Sequence, residues 1–389
     1  MHRQNELSRS CPLPCQALYV HVPFCAAKCR YCAFYSVAFE PSAARRYLRA
    51  LAVELDRRGP ALSGPLKSIF IGGGTPTALG PELLKTLLSL CRPWVGQRTE
   101  VSVEANPATL TEPVVDVLAG GAVRRVSLGV QSFRDEELRW LGRLHTAEQA
   151  RQAVGQVRSG GVGNVSLDLI YGLGNQTIET WRASLSEALA LEPDHLSCYA
   201  LSVEPGTPLE RDCRAGTARE MPEDEQADCF AQAVADAELA GLEHYEISNF
   251  ARRRRRCRHN LTYWHNEPYL GVGPGAASYL DGVRRTNAAD VEAYADALLT
   301  GQDAPATSER LVGRAALAEA VMLALRLTDG LDRHAFARRW GADVAEAFPR
   351  SVSRYAALGA LEVTPERIRI APGSLFVANT ILADILAEP

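Results

Sequence analysis

No run in this chain approaches the roughly 18 consecutive apolar residues that a membrane-spanning helix needs, so a helical integral membrane protein is not expected. The stretch Met1 to Gln16 carries His2, Arg3, Glu6 and Arg9 and has no apolar core. A secretory signal is therefore not expected, and cytoplasm is the expected compartment. An excess of one charge is missing too: 42 Lys and Arg face 46 Asp and Glu, for a net charge of -4. That balance supplies no field for nucleic acid. Internal repeats and low-complexity tracts are absent. With 47% hydrophobic and 23% charged residues over 389 positions, two or three ordinary globular domains are expected.

What the chain does have is ten cysteines, which in an intracellular protein of this length read as thiols or metal ligands rather than disulfides. Cys91, Cys198, Cys213 and Cys229 are scattered singly and read as core or surface thiols. Cys11 and Cys15, spaced around Pro-Leu-Pro, read as part of a mobile tail over residues 1–16.

Short β-rich runs alternate with helical patterns. Strands are predicted at Leu18–Val22, Ser68–Ile71, Glu100–Glu104, Arg125–Leu128, Asn164–Ile170, His195–Leu201 and His244–Ile247, and amphipathic helices at Ala43–Arg58, Pro81–Cys91 and Ala147–Arg158. Such alternation predicts an α/β fold, a partial (β/α) TIM-type barrel over residues 17–250, with a doubly wound open sheet as the alternative. Arg- and Pro-rich sequence over 251–304 reads as a connecting region. From about Ser308 a helix resumes, and 305–389 reads as a small, mostly helical, winged-helix-like C-terminal domain with one short strand at Arg367–Ile370. Its ten Arg and ten acidic residues argue against DNA binding.

The strongest chemical signal is Cys25-Ala-Ala-Lys-Cys29-Arg-Tyr31-Cys32, on the loop leaving the first strand. Three thiolates can hold a [4Fe-4S] cluster with one iron left free of protein, or a zinc ion with a distant fourth ligand such as His21. Polar residues at or just after the other strands converge on the same barrel mouth: Gly72, Gly73, Gly74 and Thr75, Glu104, Gln131 and Asp168. The glycines let a ligand approach the main chain because no Cβ intervenes. Arg143 offers a guanidinium suited to a carboxylate, and carboxylates or amides suit hydroxyls.

The run Tyr19-Val-His21-Val-Pro23-Phe24-Cys25-x3-Cys29-x2-Cys32 resembles the radical SAM signature of the group that contains coproporphyrinogen dehydrogenases and the HemW heme chaperones. The likeness extends from about Leu18 to the C-terminal module. It implies a [4Fe-4S] cluster on Cys25, Cys29 and Cys32, with S-adenosylmethionine on the free iron. It also implies cofactor contacts among Tyr19, Tyr31, Gly73, Gly74, Thr75, Glu104, Gln131, Arg143 and Asp168. Ala33, Gly174 and Ala277 depart from residues common in the group.

Within that group, dehydrogenases carry a further cysteine two residues after the third ligand, where this chain has Phe34, and a longer N-terminus. The motif His259-Asn260-x-x-Tyr263-Trp264 resembles the heme-associated motif of HemW. An imidazole can ligate iron and aromatic rings offer flat faces to a porphyrin. The resemblance therefore implies a heme chaperone that passes heme to acceptor hemoproteins, membrane-bound respiratory enzymes among them, from a cytoplasmic position reaching the inner face of the membrane. A homodimer is part of the same expectation. Anaerobic oxidation of coproporphyrinogen III is the alternative. The basic run Arg252–Arg256 with Arg258 reads as a solvated loop, or as partners for heme propionates. Cys257 reads as a spare thiol or an iron ligand.

Overall fold

The structure, a computed structural model, describes residues 13–388. β1 (Ala17–Val22) opens the fold and leads to a loop whose two-residue strands β2 (Phe24–Cys25) and β3 (Val37–Ala38) pair in parallel. Then follow α1 (Pro41–Arg58), β4 (Ser68–Gly73), α2 (Gly80–Cys91), β5 (Glu100–Ala105), α3 (Glu112–Gly120), β6 (Arg125–Gln131), α4 (Asp135–Leu141), α5 (Ala147–Ser159), β7 (Val165–Tyr171), α6 (Ile178–Ala190), β8 (His195–Ala200), α7 (Pro208–Arg214) and α8 (Glu223–Leu239). The strands β1, β4, β5, β6, β7 and β8 pair in that order, all parallel.

Strand chemistry explains the curvature and the two faces. Leu18, Val20 and Val22 of β1, Ile69 and Ile71 of β4, and Val101 and Val103 of β5 are fully buried against the surrounding helices. The residues between them are polar, aromatic or glycine and turn toward the barrel interior. The helices complete the layer: in α5, Ala147, Ala150, Ala153, Val154 and Val157 form the buried stripe, and Thr146 with Gln149 closes a capping box at its start.

The sequence-predicted strand at His244–Ile247 forms as β9 (Glu243–Glu246), but β10 (Asn249–Ala251) is inserted between it and β8, antiparallel to both. After β10 come α9 (Arg258–Trp264) and β11 (Leu270–Val272). β11 returns to pair in parallel with β1, so the connecting region supplies an edge of the main nine-stranded sheet. A hidden carboxylate explains the return. Glu54 of α1 is 1% exposed and accepts from Gly273 N at 2.8 Å, Asn287 Nδ2 at 2.9 Å and Tyr294 Oη at 2.7 Å, with Arg58 paired to it at 2.9 Å.

Three further strands, β12 (Ala277–Leu280), β13 (Val283–Asn287) and, after α10 (Val291–Leu299), β14 (Ala306–Arg310), make a separate antiparallel sheet. Ser308 to Arg310, expected to begin a helix, therefore extend β14 instead. The helix α11 runs Gly313–Ala324. The C-terminal module continues with β15 (Leu331–Asp332), α12 (Arg333–Trp340), α13 (Val344–Ala347), α14 (Pro349–Ala357), β16 (Leu361–Val363), β17 (Arg367–Ile370) and α15 (Ala378–Ala387). Its helices carry a three-stranded sheet ordered β15-β17-β16, two strands more than expected.

Cys15 corrects the tail reading. It is 4% exposed and bridges to Leu62, and Ser63 N bonds its carbonyl at 2.9 Å. Cys11 lies outside the described residues.

Candidate functional site

The three clustered thiols sit at the barrel mouth on a loop held from several sides. Arg30 fixes its centre: the guanidinium donates to Trp140 O at 2.7 Å, pairs with Asp212 at 2.7 Å and lies over the Trp140 ring. Cys29 Sγ accepts from Arg143 Nη1 at 3.3 Å, and Cys25 Sγ lies 3.5 Å from Thr75 Oγ1. Burial raises the Cys32 thiol above its ordinary pKa, and the neighbouring Cys29 and Cys25 add to the rise. Tyr31, pushed upward mainly by burial, is hydrogen-bonded to Arg143.

The glycine segment is stitched to the same loop. Gly74 N donates to Val22 O at 2.8 Å and Thr75 N to Phe24 O at 2.7 Å. A Cβ on Gly74 would fall 2.6 Å from Phe24 O, so only glycine permits the approach. Beneath it, Tyr19 Oη lies 3.0 Å from His21 Nδ1, and His21 Nε2 lies 2.9 Å from Tyr35 O. Both ring nitrogens of His21 are engaged, so it is not placed to complete a zinc site with the cysteines. Among the described residues no three His, Cys, Asp or Glu side chains converge as ligands of a single ion. A cubane instead needs thiolates spaced around its corners.

Strand ends deliver the remaining groups. Glu104 accepts from Gly73 N at 2.9 Å, and burial lifts its carboxyl to about 7, helped by nearby Asp168. Asp168 is also raised by burial, against the Arg125 charge and hydrogen bonds from Ser127, Ser166 and Ser197. Gln131 has a left-handed backbone, φ 70°, which bends the end of β6 into the mouth. Arg143 Nη2 donates to Gly129 O at 2.5 Å, while its buried Nε has no partner. The sequence reading missed Ser127, Ser166, Ser197 and Tyr199. They lie on the interior face at period two from Gly129, Asp168 and each other, and that spacing was the available signal.

The motif on α9 is divided between two surroundings. His259 and Tyr263, one turn apart, face the floor of the barrel. His259 is 1% exposed; Nδ1 lies 3.0 Å from Ser68 Oγ and Nε2 2.8 Å from Tyr263 Oη, and the ring stacks on Phe70. Burial lowers its pKa to about 3, so it is neutral. Neither nitrogen is open to iron here. Trp264 points elsewhere, with Arg326 over its ring at 4.7 Å, and Asn260 is half-buried.

Most of the basic run is already paired. Arg252 bonds Pro193 O and Ala240 O, Arg255 pairs with Asp194, Arg256 with Asp329, and Arg258 with Arg98 O. Arg253 and Arg254 are exposed. Cys257 is 0% exposed, and burial raises its thiol to about 11.

Residues 19–188 match the Radical SAM superfamily model and residues 313–375 the HemN C-terminal domain model. The chain is 32% identical to a heme chaperone HemW of Bacillus subtilis, over 96% of this chain and 100% of that protein. It is 37% identical to a heme chaperone HemW of Escherichia coli, over 68% of this chain and 70% of that protein. Among solved structures, coproporphyrinogen III oxidase (HemN) from Escherichia coli, described as a radical SAM enzyme, superposes with a TM-score of 0.83 at 23% identity, covering 98% of this chain and 92% of that one. That similarity shows a shared fold. Radical SAM membership implies a [4Fe-4S] cluster and S-adenosylmethionine. Clustered thiols, a Cβ-free cradle at Gly73 and Gly74, and the orphaned Arg143 Nε fit both groups. The chain belongs to the HemW family of radical SAM proteins.

Proposed function

We propose that this chain is a heme chaperone: it binds heme, carries a [4Fe-4S] cluster with S-adenosylmethionine, and hands heme to an acceptor hemoprotein. The observation that carries the reading is the 32% identity spanning the full length of a protein named heme chaperone HemW. Cys25, Cys29 and Cys32 would hold three corners of the cluster. Thr75 and Arg143 steady two of those sulfurs, at 3.5 and 3.3 Å. When bound, the cluster would supply an iron with an open coordination position and a source of one electron.

The chain's own residues would do the rest. Gly73 and Gly74 expose main-chain groups, Glu104 and Asp168 offer carboxylates to hydroxyl or ammonium groups, and Arg143 offers a spare N–H to a carboxylate. Tyr19, Tyr31 and Gln131 complete the wall of the mouth. Delivery to membrane-bound respiratory enzymes, action at the inner face of a membrane and a homodimeric state belong to the same proposal and rest on the family alone.

The oxidase reading has the HemN-like fold in its favour. Against it stands Phe34, 69% exposed at the position where the dehydrogenases carry their additional cysteine. Anaerobic reconstitution followed by parallel assays of heme binding and coproporphyrinogen III turnover tests the choice. Heme binding without turnover is expected; turnover without stable heme binding overturns the chaperone reading.

A further inference from the structure

Arg125 opens β6 and alternates along that strand with Ser127, Gly129 and Gln131, so its side chain turns into the barrel. It is 2% exposed. Its Nη2 donates to His195 Nδ1 at 3.1 Å, and its Nε, also buried, has no partner. A guanidinium taken out of water is costly unless acids offset it. Among the described residues no carboxylate pairs with Arg125 at contact distance. Three surround it at longer range instead: Glu100 toward the floor, and Asp168 and Glu104 toward the mouth.

The connection to Asp168 is short and made of buried groups. A guanidinium can only donate, so His195 Nδ1 is the acceptor and Nε2, 2.8 Å from Tyr245 Oη, carries the ring proton. The ring is neutral; burial lowers its pKa and the Arg125 charge lowers it further. Ser166 Oγ lies 2.9 Å from the same Nδ1 and 3.4 Å from Asp168 Oδ1. Ser127, two residues along β6 from Arg125, donates to the Asp168 carboxylate at 3.1 and 3.2 Å. One histidine and one serine therefore separate the cation from the acid, all on interior positions of β6, β7 and β8.

The other titratable or charged groups around Asp168 are Glu104 on β5, Arg143 beyond α4, and His195, Cys198 and Tyr199 on β8. Arg143 is turned to Gly129 O and Cys29, and the rest bring no positive charge. Arg125 is thus the cation that faces Asp168 from within the barrel, and it offsets the effect of burial on that carboxyl more than the serines do.

We propose that Arg125 is a positioning residue for S-adenosylmethionine: it is the counter-charge that lets Asp168 stand as an anion and accept from hydroxyls of the cofactor, without touching the cofactor itself. The assignment rests on the proposed cofactor reading and adds a residue to it. Without that charge, Glu104 and Asp168 are two like acids buried in one chamber, and each ionises only at higher pH.

The test is calorimetric titration of S-adenosylmethionine into the anaerobically reconstituted full chain, Arg125→Lys and Arg125→Gln between about pH 6 and 9, with iron content matched. The role needs a point charge rather than a guanidinium fork, so Arg125→Lys is expected to bind within about threefold of wild type throughout. Arg125→Gln is expected to bind at least about tenfold more weakly at pH 7 and to recover to within about threefold of wild type by pH 9, because a shift of one pH unit in the acid is a tenfold effect. A merely structural defect is not repaired by alkali. If folded Arg125→Gln binds like wild type, or is weakened equally at every pH, the assignment falls while the cofactor reading stands. If Arg125→Gln does not fold, Arg125→Lys decides: wild-type affinity and pH profile support the assignment, and loss at every pH overturns it. If the wild-type chain binds no S-adenosylmethionine, the cofactor reading fails and the assignment with it.

Discussion

Gly73 lies directly against His21: a Cβ built on Gly73 would fall 2.4 Å from the imidazole, at a backbone φ of +102°. The ring cannot retreat, because Tyr19 and the Tyr35 carbonyl hold its two nitrogens. Gly73→Ala should therefore destabilise the fold by about 2–4 kcal/mol through clash and backbone strain. Urea unfolding measures this, and a loss below about 0.5 kcal/mol would mean that His21 moves freely.

Replacing Cys25, Cys29 or Cys32 singly with alanine should cut iron after anaerobic reconstitution from about four atoms per chain to below about one. Stability should change little, since these thiols are only partly buried on a surface loop. Undiminished iron in the triple variant would remove the cluster assignment.

Binding of S-adenosylmethionine should tighten as pH rises through about 7, where Glu104 ionises in the mouth. The sign follows from the raised pKa: below it the carboxyl is neutral and accepts poorly, above it the anion is available to hydroxyl or ammonium donors. Glu104→Gln should flatten that profile and weaken binding about tenfold at pH 8. Calorimetric titration at several pH values decides.

At the joint with the C-terminal module, Glu246 is 1% exposed and burial raises it to about 7, against the favourable charge of Arg326. A raised acid favours the protonated folded state, so its contribution is present below the unfolded pKa, about 4.3, and is lost as pH rises through about 7. Glu246→Gln, which can still accept from Asn249, should reduce the fall in melting temperature between about pH 5 and 8. An unchanged slope would show that the carboxylate is stabilised where it lies.

The barrel was legible because each interior strand alternates buried aliphatics with polar or small residues, and because Cys25, Gly72 and Glu104 stand where strands end. The edge of the sheet was not. β11 pairs with β1 across some 250 positions, and the carboxylate that secures it, Glu54, looks like any helical acid in sequence. The motif on α9 was visible as residue types, yet its partition was hidden. Whether His259 faces iron or Ser68 depends on a contact 191 residues away, and an Arg-rich run masked the helix that sets both faces. The paired arginines, too, showed only as charge until Asp194 and Asp329 were placed beside them.

Ser68 and Glu100 begin β4 and β5, and α9 binds both, through His259 Nδ1 and the Arg258 amide, whereas Cys25 and Gly74 lie past the opposite ends of their strands. With Tyr19 and Phe70 packed over the His259 ring, the helix forms a bulkhead across the molecule. A disturbance on the outer face of this helix can therefore reach the thiol-bearing end by way of Ser68 and Glu100, along the length of the strands they begin.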